Sequence, residues 1–369
     1  MMTTQLQLVK SGFNIIWYVF PMWKHVSFSV IGWKHLEELK KRLRVTPIEE
    51  TAFPNILVYS NPTVIFHPYF YPFEKYEKKI RRKRHKIKSI IGIDVADSTS
   101  ITKYAVELTN HADAMIVPST FAKTAYVKSG VKKPVYVIPH GVDDEFINTP
   151  KHQPNVFKAL SDLKEKRKAH LIHCWILHSE YRKGLDLLVE FHNKLIKERN
   201  DVILVVKTMH GVGYITRPIE NFDGILEHYM DKLIKKEWLT EQEKMELLDI
   251  CDLYILTSRG GGFEHPPLEA MVRGEIAIGA KGGAWEDYMP KWTLIDSKKS
   301  GKIFKDNPIH NGYGVEMKID KAIDKTVEIL NNLDDYKARI NEYVNTYVKE
   351  NLTWEKIGIR LTDVILKHI

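Results

Sequence analysis

The chain has 369 residues, of which 44% are hydrophobic and 28% are charged, and it contains only two cysteines. This composition excludes an intrinsically disordered chain, a collagen-like repeat and a disulfide-bonded scaffold. At roughly 100 to 200 residues per domain, the length predicts two globular domains, each with its own core.

Short apolar runs alternate with longer amphipathic stretches along the first half of the chain. This alternation is typical of a parallel sheet covered by helices. The predicted strands are Asn14–Phe20, Val64–His67, Ser89–Val95, Ala114–Val117 and Val135–Ile138, and the predicted helices are Trp33–Leu43, Ile101–His111 and Phe121–Ser129.

The formal net charge of +8 is concentrated in residues 74–88, where nine Lys or Arg and two Glu contribute +7. One interpretation of this basic segment is a solvated helix or loop face. A second is peripheral contact with an anionic membrane, because polybasic segments bind acidic lipids and the aromatic run FHPYFYPF before it suits a bilayer interface. Nucleic acid, whose phosphates also attract clustered cations, is the least favoured partner.

A polar stretch from Asn148 to about residue 168 interrupts the alternation, which then resumes. The predicted strands are His170–Leu177, Val202–Lys207, Leu253–Thr257, Ile276–Gly279 and Thr293–Ile295, and the predicted helices are Gly184–Ile196, Gln242–Ile250, Pro266–Arg273, Lys321–Leu330 and two more after Asp334 and Thr353. We therefore expect an α/β fold with two doubly wound, Rossmann-like domains, residues 1–150 and 169–350, a linker at 151–168 and a final helix within 351–369. Ligands bind outside the carboxyl ends of such strands, so the domains should face each other across a cleft that holds the active site.

Both cysteines, Cys174 and Cys251, lie in apolar runs and are interpreted as core residues on strands, so neither a zinc site nor a redox pair is expected. The longest apolar runs are shorter than the roughly 18 to 20 residues that span a bilayer. The N-terminus also lacks the pattern of a signal peptide. These features predict a cytoplasmic protein without a transmembrane helix.

The segment LYILTSRGGGFEHPPLEAMVRGEIAIGAKGGAWED, residues 253–287, carries the most chemistry. Its glycines, Gly260 to Gly262, allow a sharp turn that brings backbone N–H groups close to a ligand. Pro266 or Pro267 suits the start of a helix, whose N-terminus favours a phosphate. Glu269 is expected in the first turn of this helix, where it either accepts hydrogen bonds from a ribose or complements the helix dipole.

This segment resembles the nucleotide-sugar site of the retaining, GT-B-fold glycosyltransferases of family 4, whose usual pattern is E-G-F-G-x-P-x-x-E-A. The match at Phe263, Pro266, Glu269 and Ala270 implies that Glu269 binds the ribose. Gly261 stands where the family has its first glutamate, which contacts the donor sugar, and Glu264 stands where the family has its second glycine. Glu264 is therefore the candidate for the missing carboxylate. The donor contacts that the resemblance implies here are Gly261, Gly262, Phe263, Glu264, Pro267, Leu268 and Glu269.

Other segments extend the resemblance from about residue 94 to the C-terminus. ILHSEYRKGLDLLVEFHNKL is similar to the family's strand, loop and K-G-x-D-L-L helix, which implies that Lys183, with Arg182 beside it, binds the donor diphosphate. His178 stands where the family usually has an arginine. The segments that match the family's structural motifs are NHADAMIVPS, VIPHGVDDEF with Pro139, Gly141 and Asp143, and LTWEKIGIRL, the helix that crosses back to the first domain. KGGAWED matches the family's second Gly-Gly turn and the acid that follows it, which implies that Gly282 and Gly283 approach the donor, while Glu286 is equally interpreted as a cap.

The resemblance implies a retaining hexosyltransferase that moves a sugar from a nucleoside diphosphate to a lipid, glycan or protein acceptor, with no cofactor and no metal. Lys183, Arg182 and the glycine turn would stabilise the departing diphosphate. Asp97 either faces the acceptor or, like Ser98, caps the helix expected near Ile101. Lys207 is a further candidate donor contact, and a lone histidine such as His67 is interpreted as scaffold rather than ligand.

Two other functions stay open at this level. A non-catalytic nucleotide-sugar binder, or degenerate homologue, would account for the departures at Gly261 and His178. A DNA-modifying glycosyltransferase is the other alternative, because GT-B folds also serve that chemistry.

Overall fold

The computed structural model describes residues 15–151, 153–177, 181–236 and 238–369, which form two compact units. Unit 1 comprises the residues up to Gly141 together with Phe304–Gly312 and Asn351–Ile369. Unit 2 comprises Val142–Ile303 and Tyr313–Glu350.

A parallel six-stranded sheet forms the centre of unit 1, in the order β2-β1-β3-β4-β5-β6. Its strands are β1 Ile16–Phe20, β2 Val45–Glu49, β3 Thr63–Phe66, β4 Ser89–Ile93, β5 Ala114–Val117 and β6 Val135–Val137. Its helices are α1 Ser27–Lys40, α2 Phe70–Lys83, α3 Lys103–Thr109, α4 Thr120–Ser129 and the last helix of the chain, α12, Trp354–Leu366.

Unit 1 has an apolar core on each side of its sheet. Successive side chains of a strand point to opposite faces, so Tyr18 and Phe20 pack with α1 and α12, whereas Trp17 and Val19 pack with α2, α3 and α4. Covering both faces with helices is what makes the sheet doubly wound, as the alternation of elements predicted.

A seven-stranded sheet forms the centre of unit 2, in the order β10-β9-β8-β7-β11-β12-β13, and β9 and β10 extend it in antiparallel fashion. Its strands are β7 His170–Trp175, β8 Val202–Thr208, β9 Gly211–Ile215, β10 Lys232–Lys236, β11 Leu253–Leu256, β12 Ile276–Ala280 and β13 Leu294–Ile295, and a separate hairpin joins β14 Ser297–Lys302 to β15 Tyr313–Met317. The helices are α5 Asp144–Asn148, α6 Lys158–Arg167, α7 Leu185–Glu198, α8 Glu241–Ile250, α9 His265–Val272, α10 Ile319–Asn331 and α11 Leu333–Tyr343, the last continued by a π-helical turn Val344–Val348 and a helical turn Lys349–Asn351.

The predicted strands and helices are present with shifted ends, although Asn14 lies outside the described residues. Two of the unpredicted strands are polar or interrupted. Strand β2 contains Pro47 and pairs on one side only, which suits an edge strand, and β14 has the sequence SKKSGK. Helix α6 occupies most of the predicted linker and buries Leu160 in the core of unit 2.

Both cysteines are buried and neither forms a disulfide. Cys174 lies on β7 as predicted, whereas Cys251 ends α8 just before β11, so its placement on a strand was wrong. Within the described ranges, no helix has the length and the apolar composition needed to cross a membrane.

Candidate functional site

The loops after β7 and β11 define the candidate site in unit 2. These strands are parallel neighbours, and β8 lies on the other side of β7. The connection after β7 leads to β8 on one side of it, whereas the connection after β11 leads away on the other side. The carboxyl ends of β7 and β11 therefore form a topological switch point, where α/β folds bind ligands. Lys183 lies in the first loop and the Gly260 to Gly262 turn lies in the second.

Gly184 positions Lys183. Its φ of +69° is a left-handed conformation, and a Cβ atom at this residue would lie 2.1 Å from the carbonyl oxygen of Thr257. Only glycine therefore lets the lysine loop approach the end of β11 so closely. Two hydrogen bonds lock the loops together: Thr257 Oγ1 donates to the Lys183 carbonyl (3.0 Å), and the Arg259 N–H donates to the Arg182 carbonyl (2.7 Å).

Lys183 and Glu264 form a close ion pair at the centre of the site. The lysine Nζ lies 2.7 Å from each carboxylate oxygen, and the two side chains are only 15% and 8% exposed. Arg182 Nη1 lies 3.7 Å from Glu264 Oε1 and donates to the Gly260 carbonyl oxygen (3.3 Å). The structure therefore brings together the residues proposed for the diphosphate and for the donor sugar.

The departures from the family pattern at positions 261 and 264 are spatially complementary. Glu264 has φ +65°, a conformation that favours glycine, and glycine is the residue that the pattern has here. A Cβ atom at Gly261 would lie 2.3 Å from Glu264 Oε1. The carboxylate of Glu264 thus occupies the space that a side chain at position 261 would need.

Glu269 is the fifth residue of α9, so its predicted place in the first helical turn was wrong and the helix-dipole interpretation does not apply. Its Oε1 lies 2.8 Å from Lys244 Nζ and 3.3 Å from His265 Nδ1. Burial by itself would raise the pKa of Glu269, but the charges of Lys244 and His265 outweigh it and lower the pKa to about 2. The carboxylate is therefore held ionised.

The other residues predicted in this segment are packed into unit 2. Phe263 is buried, and its ring lies 4.8 Å from that of Tyr288, whose hydroxyl donates to the carbonyl oxygen of Glu264. Pro267 and Leu268 are buried in α9. Tyr288 therefore supports the turn that carries Glu264 through the Phe263 ring and the Glu264 carbonyl.

Arg259 is a site residue that the sequence analysis missed. Its buried guanidinium binds Asp186 through two hydrogen bonds of 2.7 and 2.6 Å, Glu316 through one of 2.7 Å, and lies 3.9 Å from the Tyr181 ring. The aspartate belongs to the K-G-x-D pattern and Glu316 to β15, so Arg259 ties together the lysine loop, α7 and the hairpin. An arginine directly before three glycines was the available signal.

The structure does not add Lys207 to this cluster. Its ammonium donates to the Thr208 carbonyl oxygen and lies 5.3 Å from the Trp238 ring, and burial lowers its pKa. At the second glycine turn, Gly282 has φ +92° and donates its N–H to Glu286 Oε1 (2.7 Å), so Glu286 stabilises the turn. His178 lies outside the described residues.

In unit 1, Asp97 is half-buried in the segment after β4. The capping alternative for Asp97 or Ser98 was wrong, because α3 begins later than predicted and Thr102 caps it by accepting from the Ala105 N–H (3.0 Å). His67 is buried and hydrogen-bonded to the Tyr18 hydroxyl (2.9 Å), as a scaffold histidine would be.

Two motif residues of unit 1 have structural roles. A Cβ atom at Gly141 would lie 2.7 Å from the backbone nitrogen of Trp354, so the glycine lets the last helix pack against this turn. Ser119, from the P-S motif, caps α4 by accepting from the Ala122 N–H (3.1 Å). Both observations fit the structural interpretation of these motifs.

Three buried side chains, His173, Cys251 and Glu275, place potential metal-ligand atoms within 4.8 Å of one another. Contrary to expectation, a cysteine and a histidine do meet in space. However, Trp175 Nε1 donates to His173 Nε2 (2.7 Å), and an indole can only donate, so His173 carries its proton on Nδ1, which faces Glu275 Oε2 at 3.5 Å. A protonated Nδ1 has no lone pair for a metal, and Trp175, His173 and Glu275 form a hydrogen-bonded chain.

No protein-family model matches the chain. Uncharacterized protein 356 of Sulfolobus islandicus rod-shaped virus 1 is 35% identical to it over 364 residues, which cover 96% of this chain and 98% of that protein. The chain belongs to the family of protein 356. It is also 28% identical over 287 residues to "Putative glycosyltransferase 45" of Sulfolobus islandicus filamentous virus (isolate Iceland/Hveragerdi), with 72% of this chain and 73% of that protein covered.

Solved structures of other proteins share the fold of this chain. Anabaena HepE, in complex with UDP and glucose, has a TM-score of 0.68 at 12% identity over 96% of this chain and all (100%) of HepE. The structure "Trehalose-6-phosphate from E. coli bound with UDP-2-fluoro glucose" has a TM-score of 0.62 at 12% identity over 92% of this chain and 78% of the other. These likenesses confirm the predicted α/β, GT-B fold of the glycosyltransferases.

Proposed function

We propose that the chain is a retaining glycosyltransferase of the family 4 type, which transfers a sugar from a nucleoside diphosphate to a lipid, glycan or protein acceptor without a metal ion. The observation that carries the proposal is the cluster of Lys183, Arg182 and Glu264 beside the glycine turn at the carboxyl ends of β7 and β11. The GT-B fold and the similarity to "Putative glycosyltransferase 45" support it.

The proposed chemistry needs positive charge where the diphosphate departs. An ammonium has three N–H donors, so Lys183 can hold Glu264 and still donate to a phosphate oxygen. Arg182 adds a second cation nearby, and fixed cations in a partly buried loop stabilise developing negative charge more strongly than water does. Glu264 then contacts the donor sugar in place of the family's first glutamate.

Glu269 is proposed to bind the ribose. Lys244 and His265 both contact its Oε1, so Oε2 is the oxygen proposed to accept hydrogen bonds from the ribose hydroxyls. The base and the sugar are taken first from the structural neighbours: HepE is described in complex with UDP and glucose, so UDP-glucose is the first donor to test. Asp97 remains the proposed acceptor-side residue.

A nucleotide panel tests the proposal. Thermal unfolding is followed with UDP, GDP, ADP, TDP and their sugars on the wild type, Lys183→Ala and Glu269→Ala, with Lys321→Ala as an exposed-lysine control. A ligand at about 100 times its Kd stabilises by about 2.7 kcal/mol, and this selective shift should vanish in the two site variants only. Absence of any shift in the folded wild type would contradict the proposal.

Product analysis then separates enzyme from binder. Transfer from the donor that binds should give a product with the donor's anomeric configuration, and a chelator should leave the rate unchanged. A donor that binds without hydrolysis or transfer would favour the non-catalytic nucleotide-sugar binder.

A further inference from the structure

The basic segment of unit 1 is a folded helix rather than a loop. Residues 70–83 form α2, which is kinked at Tyr76 (φ −129°, ψ 17°), and Phe70, Phe73 and Ile80 anchor it in the core with residues of β1 and β3. The opposite side of α2 and the turn that follows it expose five cationic side chains, which we name the basic face: Lys75, Lys78, Lys79, Arg82 and Lys86.

Nearby carboxylates neutralise other cations. Glu77 lies 3.5 Å from Arg81 and 3.1 Å from His111, and Asp113 lies 3.0 Å from Arg84. Over the part of the chain that the structure describes, Lys78, Arg82 and Lys86 form no ion pair. Their charges are therefore available to an external anion.

Large apolar side chains border both ends of the basic face. At its start, Lys24 lies 5.0 Å from the Tyr71 ring, whose hydroxyl accepts from Lys75 (2.7 Å), and the neighbouring Trp23 is 77% exposed. Towards its other end, Lys83 Nζ donates to the Ile56 carbonyl oxygen (2.5 Å), and the next residue, Leu57, is 83% exposed.

The aromatic run FHPYFYPF does not supply interfacial side chains. Its residues lie in the core except for Tyr71, which is half-buried, so that part of the sequence interpretation was wrong. Trp23 and Leu57 come from other segments and reach this surface only through the fold.

A cavity of about 230 Å³ lies beside the C-terminal half of α2. Three cations, Arg81, Arg84 and Lys133, and one carboxylate, Asp113, line it, so the lining keeps a net positive charge although Arg81 and Arg84 are paired with Glu77 and Asp113.

We propose that the basic face, with Trp23 and Leu57 at its ends, docks on the surface of an anionic lipid bilayer. Cations near such a surface bind acidic headgroups, while tryptophan and leucine side chains enter the interface. Duplex DNA would neutralise the cations but offers no apolar phase for Trp23 and Leu57, so the membrane accounts for both features. This docking does not depend on sugar transfer.

Vesicle sedimentation with matched charge variants tests the proposal. The basic-face variant is Lys78→Gln/Arg82→Gln/Lys86→Gln. The control is Lys158→Gln/Lys166→Gln/Arg167→Gln on α6, which removes the same kinds of charge from exposed positions in unit 2. The full chain is sedimented with phosphatidylcholine vesicles, with and without phosphatidylglycerol.

Wild type and control should bind only the phosphatidylglycerol vesicles, and added salt should weaken binding. Each cation at the surface contributes about fivefold, so the basic-face variant should bind on the order of 100-fold more weakly. Trp23→Ser/Leu57→Ser should also weaken binding but keep its salt dependence, and circular dichroism should show all variants folded.

Three results would overturn the proposal. Equal loss in the control would mean that only overall charge matters. Failure of the wild type to bind anionic vesicles would leave a solvated face. Binding to duplex DNA that depends on the basic face, without vesicle binding, would assign the surface to nucleic acid.

Discussion

The Glu264 carboxylate occupies the space that a side chain at position 261 would need, and this leads to a quantitative prediction about stability. The perturbation is Gly261→Ala, made once in the wild type and once in Glu264→Gly. In the wild type the new Cβ lies 2.3 Å from Glu264 Oε1, and its next two contacts, at 2.9 and 3.0 Å, are also with Glu264. The substitution is therefore opposed by this one side chain.

The magnitude follows from what must move. To reach an ordinary contact distance, Oε1 has to shift by about 1 Å, which breaks one of the two 2.7 Å contacts with Lys183. Hydrogen bonds to charged groups contribute about 1.5 to 3 kcal/mol, so Gly261→Ala should destabilise the wild type by about that amount. In Glu264→Gly the opposing atoms are absent. Because alanine restricts the unfolded chain more than glycine does, Gly261→Ala in this background should be neutral or stabilise the protein by up to about 1 kcal/mol.

Urea unfolding of the four proteins, followed by circular dichroism, measures the coupling. We expect a coupling free energy of about 1.5 to 4 kcal/mol between the two positions. If Gly261→Ala changed the unfolding free energy equally in both backgrounds, to within about 0.5 kcal/mol, the two positions would be independent, and Glu264 would not be what opposes a side chain at position 261. As a functional extension, Gly261→Glu/Glu264→Gly, which restores the family pattern, should recover donor turnover lost in Glu264→Gly.

Three further predictions concern the same unit. The pKa of Glu269 is lowered from 4.5 to about 2, so the carboxylate contributes about 3 kcal/mol of stability above about pH 5 and loses it towards pH 2. The difference in unfolding free energy between wild type and Glu269→Gln should therefore decrease from pH 5 to pH 2. An increase of this difference at lower pH would contradict the prediction. Gly184→Ala places a Cβ 2.1 Å from a carbonyl oxygen and should lower the unfolding free energy, measured with urea, by more than about 3 kcal/mol. Gly130→Ala is the control: its φ is also positive (+101°) but nothing lies within 4 Å of the new Cβ, so it should lower the unfolding free energy by only about 1 to 2 kcal/mol. Equal effects would argue against the close approach at Gly184. Arg259→Lys loses the paired contacts with Asp186 and should lower the unfolding free energy by about 2 to 4 kcal/mol, and a change below about 1 kcal/mol would show that the arginine does not tie the loops together.

Local patterns in the sequence predicted most of the architecture. The alternation of apolar runs and amphipathic stretches located the strands that are buried on both faces, such as β4 and β5, because burial on both faces makes most positions of a strand apolar. Edge and hairpin strands were missed because they need few apolar residues: β2 includes a proline, and β14 has five polar or charged residues in six. The order of the motifs was also sufficient to imply the GT-B fold.

The sequence by itself determined which residues carry the candidate chemistry, because glycine turns, helix starts and the K-G-x-D pattern are local features. Only the tertiary structure decided which of them meet. Lys183 and Glu264 are 81 residues apart, and their contact exists because the parallel strands β7 and β11 lie side by side after a long crossover. The pairing of Glu269 with Lys244, and the closing of the lysine loop by Arg259, likewise depend on how neighbouring elements pack, which no periodicity along the chain specifies.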